Sequence, residues 1–426
     1  MKFTLLGFGL SNKEIFKYLV KNGHEVFVSE GKKLASSDKK LLLENGVQFE
    51  ENGHTEKALE CDIILVSPGV HFENEIIKEA KRRSIEIDTE ISFCQREFEK
   101  IGWTPFVIAV TGSVGKSTTV SLIYHLLNKK VRALLAGNIG IPIAKLLNDN
   151  LRANYLVLEI SSFQLFWSKR FKPNISSILN IYPNHLNWHP DMEHYVSSKF
   201  KIASFQSKDD VFVYNPNDEY IRKNLYKVSA KKVPFRFDFS IEKLPIHLRY
   251  RQTVENVAAA KTILETMGYE FKWEFLEDFE KLPHRMEYVT EINGVKFFND
   301  SKATNAIAVI RAIENFDDKL HLIMAGIGKN EDYTLLAKII KEKVKILALV
   351  GPIADEIEPY LDGVRYFKVD TINQAVNQLF SMASRGDVIM LSPGGASFDA
   401  FKNFEERGEY FKQLVMQLKE GNCEEC

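Results

Sequence analysis

The chain has 426 residues, 45% of them hydrophobic, more than a single core can hold, and the composition predicts two or three domains, with three the better reading. A formal net charge of -1 supplies no basic field for nucleic acid and no acidic tail, so small molecules are the partners it favours. No apolar run approaches the length of a membrane span, the start Met1-Lys2-Phe3-Thr4-Leu5-Leu6-Gly7 is a short strand and not a signal peptide, and the 4 cysteines suit a reducing cytoplasm.

From end to end the pattern repeats strand, loop and helix, the signature of an α/β fold with parallel sheets. The first unit is Phe3-Thr4-Leu5-Leu6, then Gly7-Phe8-Gly9-Leu10-Ser11-Asn12, then a helix to about Val20 and a strand at 26–30. It imitates a Rossmann dinucleotide fingerprint, with Glu30 where an acidic residue would meet a ribose, but Asn12 stands in place of the third glycine. A strand at 63–66 ends in Ser67-Pro68-Gly69; two such loops on one sheet edge make a nucleotide-diphosphate site. Charged residues with Gly102 and Pro105 interrupt the rhythm between 96 and 105, which places a boundary near residue 94 and a first domain at 1–94.

The second domain, 95–285, opens on an apolar strand at 106–111 that breaks into Thr111-Gly112-Ser113-Val114-Gly115-Lys116-Ser117-Thr118 and then a helical pattern. This is a triphosphate cradle in a variant spelling, with Val110 where a strict phosphate loop has its first glycine. Gly112 and Gly115 let backbone N–H groups turn onto phosphate oxygens, Lys116 adds a point charge, and the Ser117 hydroxyl is placed to ligate Mg2+. The alternative is a plain strand-to-helix turn. Further strands are expected at 155–159 and 178–181, with helices from 192 to about 205 and at 254–267. After Leu282-Pro283-His284-Arg285 the rhythm restarts with strands at 296–300, 321–324, 346–350 and 388–391, a third domain at 286–426. The closing Cys423-Glu-Glu-Cys426 has no second pair to complete a zinc site and reads as a frayed tail.

Glu159 ends an apolar strand after the phosphate loop, so its carboxylate and Ser117 form a credible Mg2+ pair; a surface or capping glutamate is the other reading. His185 also follows an apolar strand, as a ligand or as a structural histidine. Lys199, on the helix from 192, reads on residue chemistry alone as a solvated lysine, because an ammonium cannot ligate a cation. Asn299-Asp300-Ser301-Lys302-Ala303-Thr304-Asn305 gathers polar and small residues at a strand end; capping accounts for Asp300 or Ser301 but not for Lys302. Leu391-Ser-Pro-Gly-Gly-Ala-Ser-Phe-Asp399 repeats the arrangement with a glycine turn whose backbone donors suit an anion.

Six ordered motifs, these five regions together with Leu282-Pro-His-Arg285 and with Arg407-Gly408 closing the last, make the chain resemble the Mur ligases of peptidoglycan synthesis, most closely their D-glutamate-adding branch. The resemblance implies an N-terminal Rossmann-like UDP-binding domain, a central ATPase domain and a C-terminal amino-acid-binding domain. It implies an ATP-dependent ligase of cell-wall synthesis, and so of cell shape and division, acting in the cytoplasm as a monomer on UDP-N-acetylmuramoyl-L-alanine and D-glutamate. ATP would phosphorylate the acceptor carboxylate, and an amine would displace phosphate from the acyl phosphate. Lys116 would hold the β- and γ-phosphates, one Mg2+ would sit on Ser117 and Glu159, and a second on His185 and on Lys199, which the family carbamylates into an anionic oxygen donor. His284, Arg285, Asp300 and Lys302 would bracket the nucleotide, with Asn256 near the adenine. Thr304, Lys329, Ser397 and Phe404 would hold the incoming amino acid, and Leu10, Ser11, Ser67, Gly69 and Asn138 the UDP-sugar. Departures from the family pattern are Asn184 and Asn187 beside His185, Thr253, and Gly394-Gly395. A folylpolyglutamate synthase lacks the separate first domain, and a guanine-nucleotide switch would need Asn-Lys-x-Asp, to which Asn215-Pro-Asn-Asp218 is the nearest string.

Overall fold

Short apolar runs closed by Gly, Asn or Pro turns build three sheets, and nearly every strand hands over to a helix at its carboxyl end. The computed structural model describes residues 1–186, 188–316 and 320–423. Asn187 and Cys426, and with Cys426 the Cys-x-x-Cys spacing, lie outside the described residues. Packing divides the chain into two units: Met1–Ile181 with Trp188–Asp238 and Glu255–Glu277, and Tyr182–Asn187 with Phe239–Val254 and Asp278–Cys426.

The first unit holds two sheets. In one, β1 (Lys2–Leu6), β2 (Glu25–Ser29), β3 (Gln48–Glu50), β4 (Ile63–Val66) and β5 (Glu86–Asp88) are all parallel in the order β3-β2-β1-β4-β5. The order reverses between β1 and β4, the switch point at which open α/β sheets bind ligands, and both glycine loops leave the sheet there. Asn12, in the place of a third glycine, is a clamp: its buried amide donates to the carbonyls of Gly7 at 2.7 Å and Leu65 at 3.1 Å, tying the first glycine loop to strand β4. Glu30 accepts from the Phe8 N–H at 2.7 Å, so this carboxylate serves the loop's own backbone.

In the second sheet β6 (Phe106–Thr111), β7 (Ala133–Gly137), β8 (Tyr155–Glu159), β9 (Ile175–Ile178), β10 (Val211–Tyr214) and β11 (Lys231–Pro234) run parallel in the order β11-β10-β9-β6-β8-β7. The strand expected at 178–181 is β9, three residues earlier: buried Ser176 and Ser177 hid it from a hydrophobicity reading, and Ile178 ends it. Residue 94 falls inside helix Glu90–Lys100, whose Ile91, Phe93, Cys94 and Phe98 are core; the charges from 96 onward flank that buried face.

The second unit carries β12 (Glu287–Ile292), β13 (Val295–Asn299), β14 (Leu320–Ala325), β15 (Val344–Val350), β16 (Tyr366–Val369) and β17 (Val388–Gly394), in the order β12-β13-β17-β14-β15-β16. Only β12 is antiparallel; Asn293 and Gly294, with φ of 52° and 83°, form the type I′ turn that joins it to β13. Both faces of the sheet are covered, Leu322, Met324 and Met390 pointing into one core layer and Ile323, Ile389 and Leu391 into the other. No helix among the described residues is long and apolar enough to cross a membrane.

Candidate active site

In the first unit the centre is the loop between β6 and helix Lys116–Asn128. Gly115 takes φ of 84°, and a Cβ there would lie 2.5 Å from the Asn256 amide oxygen, so the turn admits only glycine. Asn256, expected near the adenine, packs against this turn and accepts from the Thr119 hydroxyl at 3.2 Å. The Ser113 and Val114 N–H groups both donate to the Asn180 side-chain oxygen, at 3.1 and 3.0 Å. Asn180 thus fixes the loop's shape from the end of β9.

Lys116 lies over the loop, its ammonium donating to the carbonyls of Gly112 at 2.8 Å and Ser113 at 3.0 Å. Lys199 donates to the same Gly112 carbonyl at 2.9 Å, with its ammonium 4.5 Å from the centre of the Tyr195 ring. It is 1% exposed, which corrects the reading of a solvated lysine. Burial, and then the neighbouring Lys116 charge, hold its pKa well below the usual lysine value.

Glu159, at the end of β8, is buried; one carboxylate oxygen accepts from the Asn138 amide at 2.8 Å, and the other has no hydrogen-bond partner. A buried carboxylate oxygen left unpaired beside a phosphate loop is the donor a hard cation requires, so Glu159 and Ser117 fit Mg2+. His185 belongs to the 182–187 segment of the second unit, with φ of 59°; Tyr182 anchors that segment through a hydrogen bond from Arg311. Among the described residues no group of three His, Cys, Asp or Glu side chains converges as a ready-made metal cage.

In the second unit the site forms where β13, β17 and β14, adjacent in the sheet, release their loops. Asp300 is buried; its carboxylate accepts from the Met286 N–H at 3.1 Å and the Ser392 hydroxyl at 3.0 Å, and burial raises its pKa to about 7. The Lys302 N–H donates to the His284 carbonyl at 3.1 Å, and its ammonium sits 3.5 Å from the centre of the Phe404 ring. Asn299 donates to the His284 ring nitrogen at 2.9 Å, and a Cβ at Gly408 would stand 2.2 Å from that nitrogen, which explains the glycine. Ile327 and Ala396 exchange backbone hydrogen bonds at 2.8 and 2.7 Å, joining the loop of Lys329 to that of Ser397. Glu331 accepts from the Ala306 N–H at 2.8 Å and so ties the Lys329 loop to the segment after Thr304.

Family models match the chain in series: a MurD N-terminal domain at residues 2–76, a Mur ligase middle domain at 110–280, and a Mur ligase, glutamate ligase domain at 284–395. The chain belongs to the Mur ligase family. A UDP-N-acetylmuramoylalanine--D-glutamate ligase of Thermosipho africanus is 76% identical over 99% of this chain and 100% of its own length. One of Fervidobacterium nodosum is 52% identical with the same coverage. The fold matches a MurF ligase from Thermotoga maritima in complex with ADP at a TM-score of 0.62 and 16% identity, over 97% of this chain and 95% of that one.

This Mur ligase places Leu10 and Ser11 at the start of the helix after β1, beside the Ser67–Gly69 loop, and Asn138 against Glu159 on the second sheet. Arg407, which the sequence reading carried only within a closing motif and gave no role, proves to be a structural hub. It is 1% exposed and donates to the Ser301 hydroxyl and carbonyl at 3.1 and 2.9 Å and to the carbonyls of Gly395 and Ala325 at 3.1 and 3.3 Å, gathering three loops. Its place directly before Gly408 was the available signal.

Proposed function

We propose that this chain joins D-glutamate to UDP-N-acetylmuramoyl-L-alanine with consumption of ATP, a cytoplasmic step of peptidoglycan precursor synthesis, as a monomer. The observation that carries the reading is identity of 76% across the full length of a relative of that name. The γ-phosphate passes to the acceptor carboxylate, giving an acyl phosphate and ADP; the amine then attacks the acyl carbon, forming the amide and releasing phosphate and a proton. Loop amides, Lys116 and a Mg2+ on Ser117 and Glu159 would neutralise charge on the transferring group, the part of such reactions a protein supplies. His284, Arg285, Asp300 and Lys302 would meet the nucleotide, Asn256 would lie near its adenine, and Thr304, Lys329, Ser397 and Phe404 would hold D-glutamate.

The reading extends to Lys199. A buried lysine with a depressed pKa is the neutral amine that CO2 requires: nitrogen attacks carbon, a proton leaves, and an anionic carbamate replaces a cation. That carbamate and His185 would hold a second Mg2+.

Phosphate release is expected with UDP-N-acetylmuramoyl-L-alanine only when D-glutamate is also present. Turnover that ignores either substrate sinks the assignment. For the carbamate, 13C-bicarbonate should give a lysine carbamate resonance absent from Lys199→Ala, and a Lys199→Ala enzyme with full activity rules it out.

A further inference from the structure

A cleft of about 620 Å3 lies in the first unit at the opposite edge of the first sheet from the two glycine loops. Its floor is the amino end of β5, whereas those loops leave the carboxyl ends of β1 and β4 in the same parallel sheet. Lys81 enters from the end of helix Glu75–Arg82, Lys169 and Arg170 from the turn after helix Ser162–Trp167, and Lys201 from the turn after helix Met192–Phe200. Four cations from three segments of chain therefore share one recess.

No ion pair compensates them. The one carboxylate that lines the cleft, Glu86, is paired at 3.4 Å with Arg96, a fifth lining cation that also reaches Asp88 outside the cleft at 2.7 Å. Among the described residues none of Lys81, Lys169, Arg170 and Lys201 has a carboxylate partner; Lys81 rests 5.6 Å from the Trp167 ring centre and Lys201 4.8 Å from that of Phe166. An ordinary solvated face disperses like charges or alternates their sign, whereas a concave wall of one sign focuses its field on the space it encloses.

A backbone feature also marks the recess. Arg170 is held at φ of 58°, a left-handed conformation that costs an arginine about 1 kcal/mol or more and that collects at ligand clamps.

We propose that this cleft is a second anion site, binding a compact polyphosphate of the pyrophosphate type and separate from the phosphate loop of the ligase reaction. Its volume lies within the range of small-molecule pockets, about 300–1,000 Å3. A single monovalent anion would leave most of the four charges uncompensated. Arginine offers paired N–H donors to phosphate oxygens, and lysines add point charges around it.

The test is lysine footprinting of the full chain: acylation rates read by mass spectrometry with and without inorganic pyrophosphate. Lys81 and Lys169 should react at least tenfold more slowly at saturating pyrophosphate, the protection should weaken with added salt, and exposed Lys223 should be unaffected. The Lys81→Glu, Lys169→Glu double variant should keep its ligase activity while Lys201 loses its protection, and Lys169→Arg should retain binding. Protection confined to Lys116, with Lys81 and Lys169 labelled at one rate throughout, overturns the proposal. So does pyrophosphate protection of Lys201 that is undiminished in the double variant.

Discussion

Replacing Asp300 by asparagine tests whether a buried carboxylate in the second unit is kept at the expense of stability. The Asp300 pKa rises from 3.8 to about 7, chiefly because burial removes water from the charged form. Between those values the native chain holds a proton that the unfolded chain has released. Stability therefore falls as pH rises from about 4 to about 7, and the whole cost is present above that window. At about 1.4 kcal/mol for each tenfold change in proton affinity, the cost is on the order of 4 kcal/mol. Asparagine keeps the shape: the Met286 N–H still meets an oxygen, and the Ser392 hydroxyl turns to accept from the new amide. Asp300→Asn should match the parent near the acid end of the window and exceed it in stability by a large part of those ~4 kcal/mol at mildly alkaline pH. It should also lose ligase activity, on the order of 10²-fold, if the anion serves the nucleotide. Hydrogen exchange of the β13 and β17 amides, followed against pH in both proteins, reads the second unit directly. Parallel curves across the window would refute the reasoning.

Lys116→Ala should lower kcat on the order of 10² to 10³ in a phosphate-release assay, by comparison with removing one preorganised donor; near-normal turnover contradicts a charge-neutralising role. Glu159→Gln should raise the Mg2+ concentration for half-maximal activity by about tenfold or more, since an amide replaces the unpaired carboxylate oxygen; an unchanged Mg2+ titration would show that the metal binds elsewhere. Arg407→Met leaves the Ser301, Ala325 and Gly395 carbonyls without their donor, and should cost about 1–3 kcal/mol. Calorimetry checks this, and a loss under about 1 kcal/mol would mean that water replaces the guanidinium.

The phosphate loop was legible because its shape is local: Gly112 and Gly115 permit backbone angles that other residues resist, and Lys116 and Ser117 follow on the first turn of a helix. The strands before Gly7, Ser67, Gly112 and Asp300 were legible for the same reason, as apolar runs cut by residues that turn the chain. Less was visible where the signal was polar. Ser176 and Ser177 concealed β9, and β12, with its Glu-Tyr-Val-Thr-Glu-Ile alternation, went unread although Asn293-Gly294 marks its hairpin.

What the amino-acid order determined, then, was the α/β class, the glycine loops and which side chains stand at strand ends. Tertiary structure alone decided their chemical state. Lys199 lies 87 residues from the Gly112 carbonyl it meets, Asn180 closes on Val114 from 66 residues away, and Arg407 finds Ser301 across 106. Burial and the charge of distant neighbours set proton affinity and the need for a partner, and neither is written in spacing along the chain.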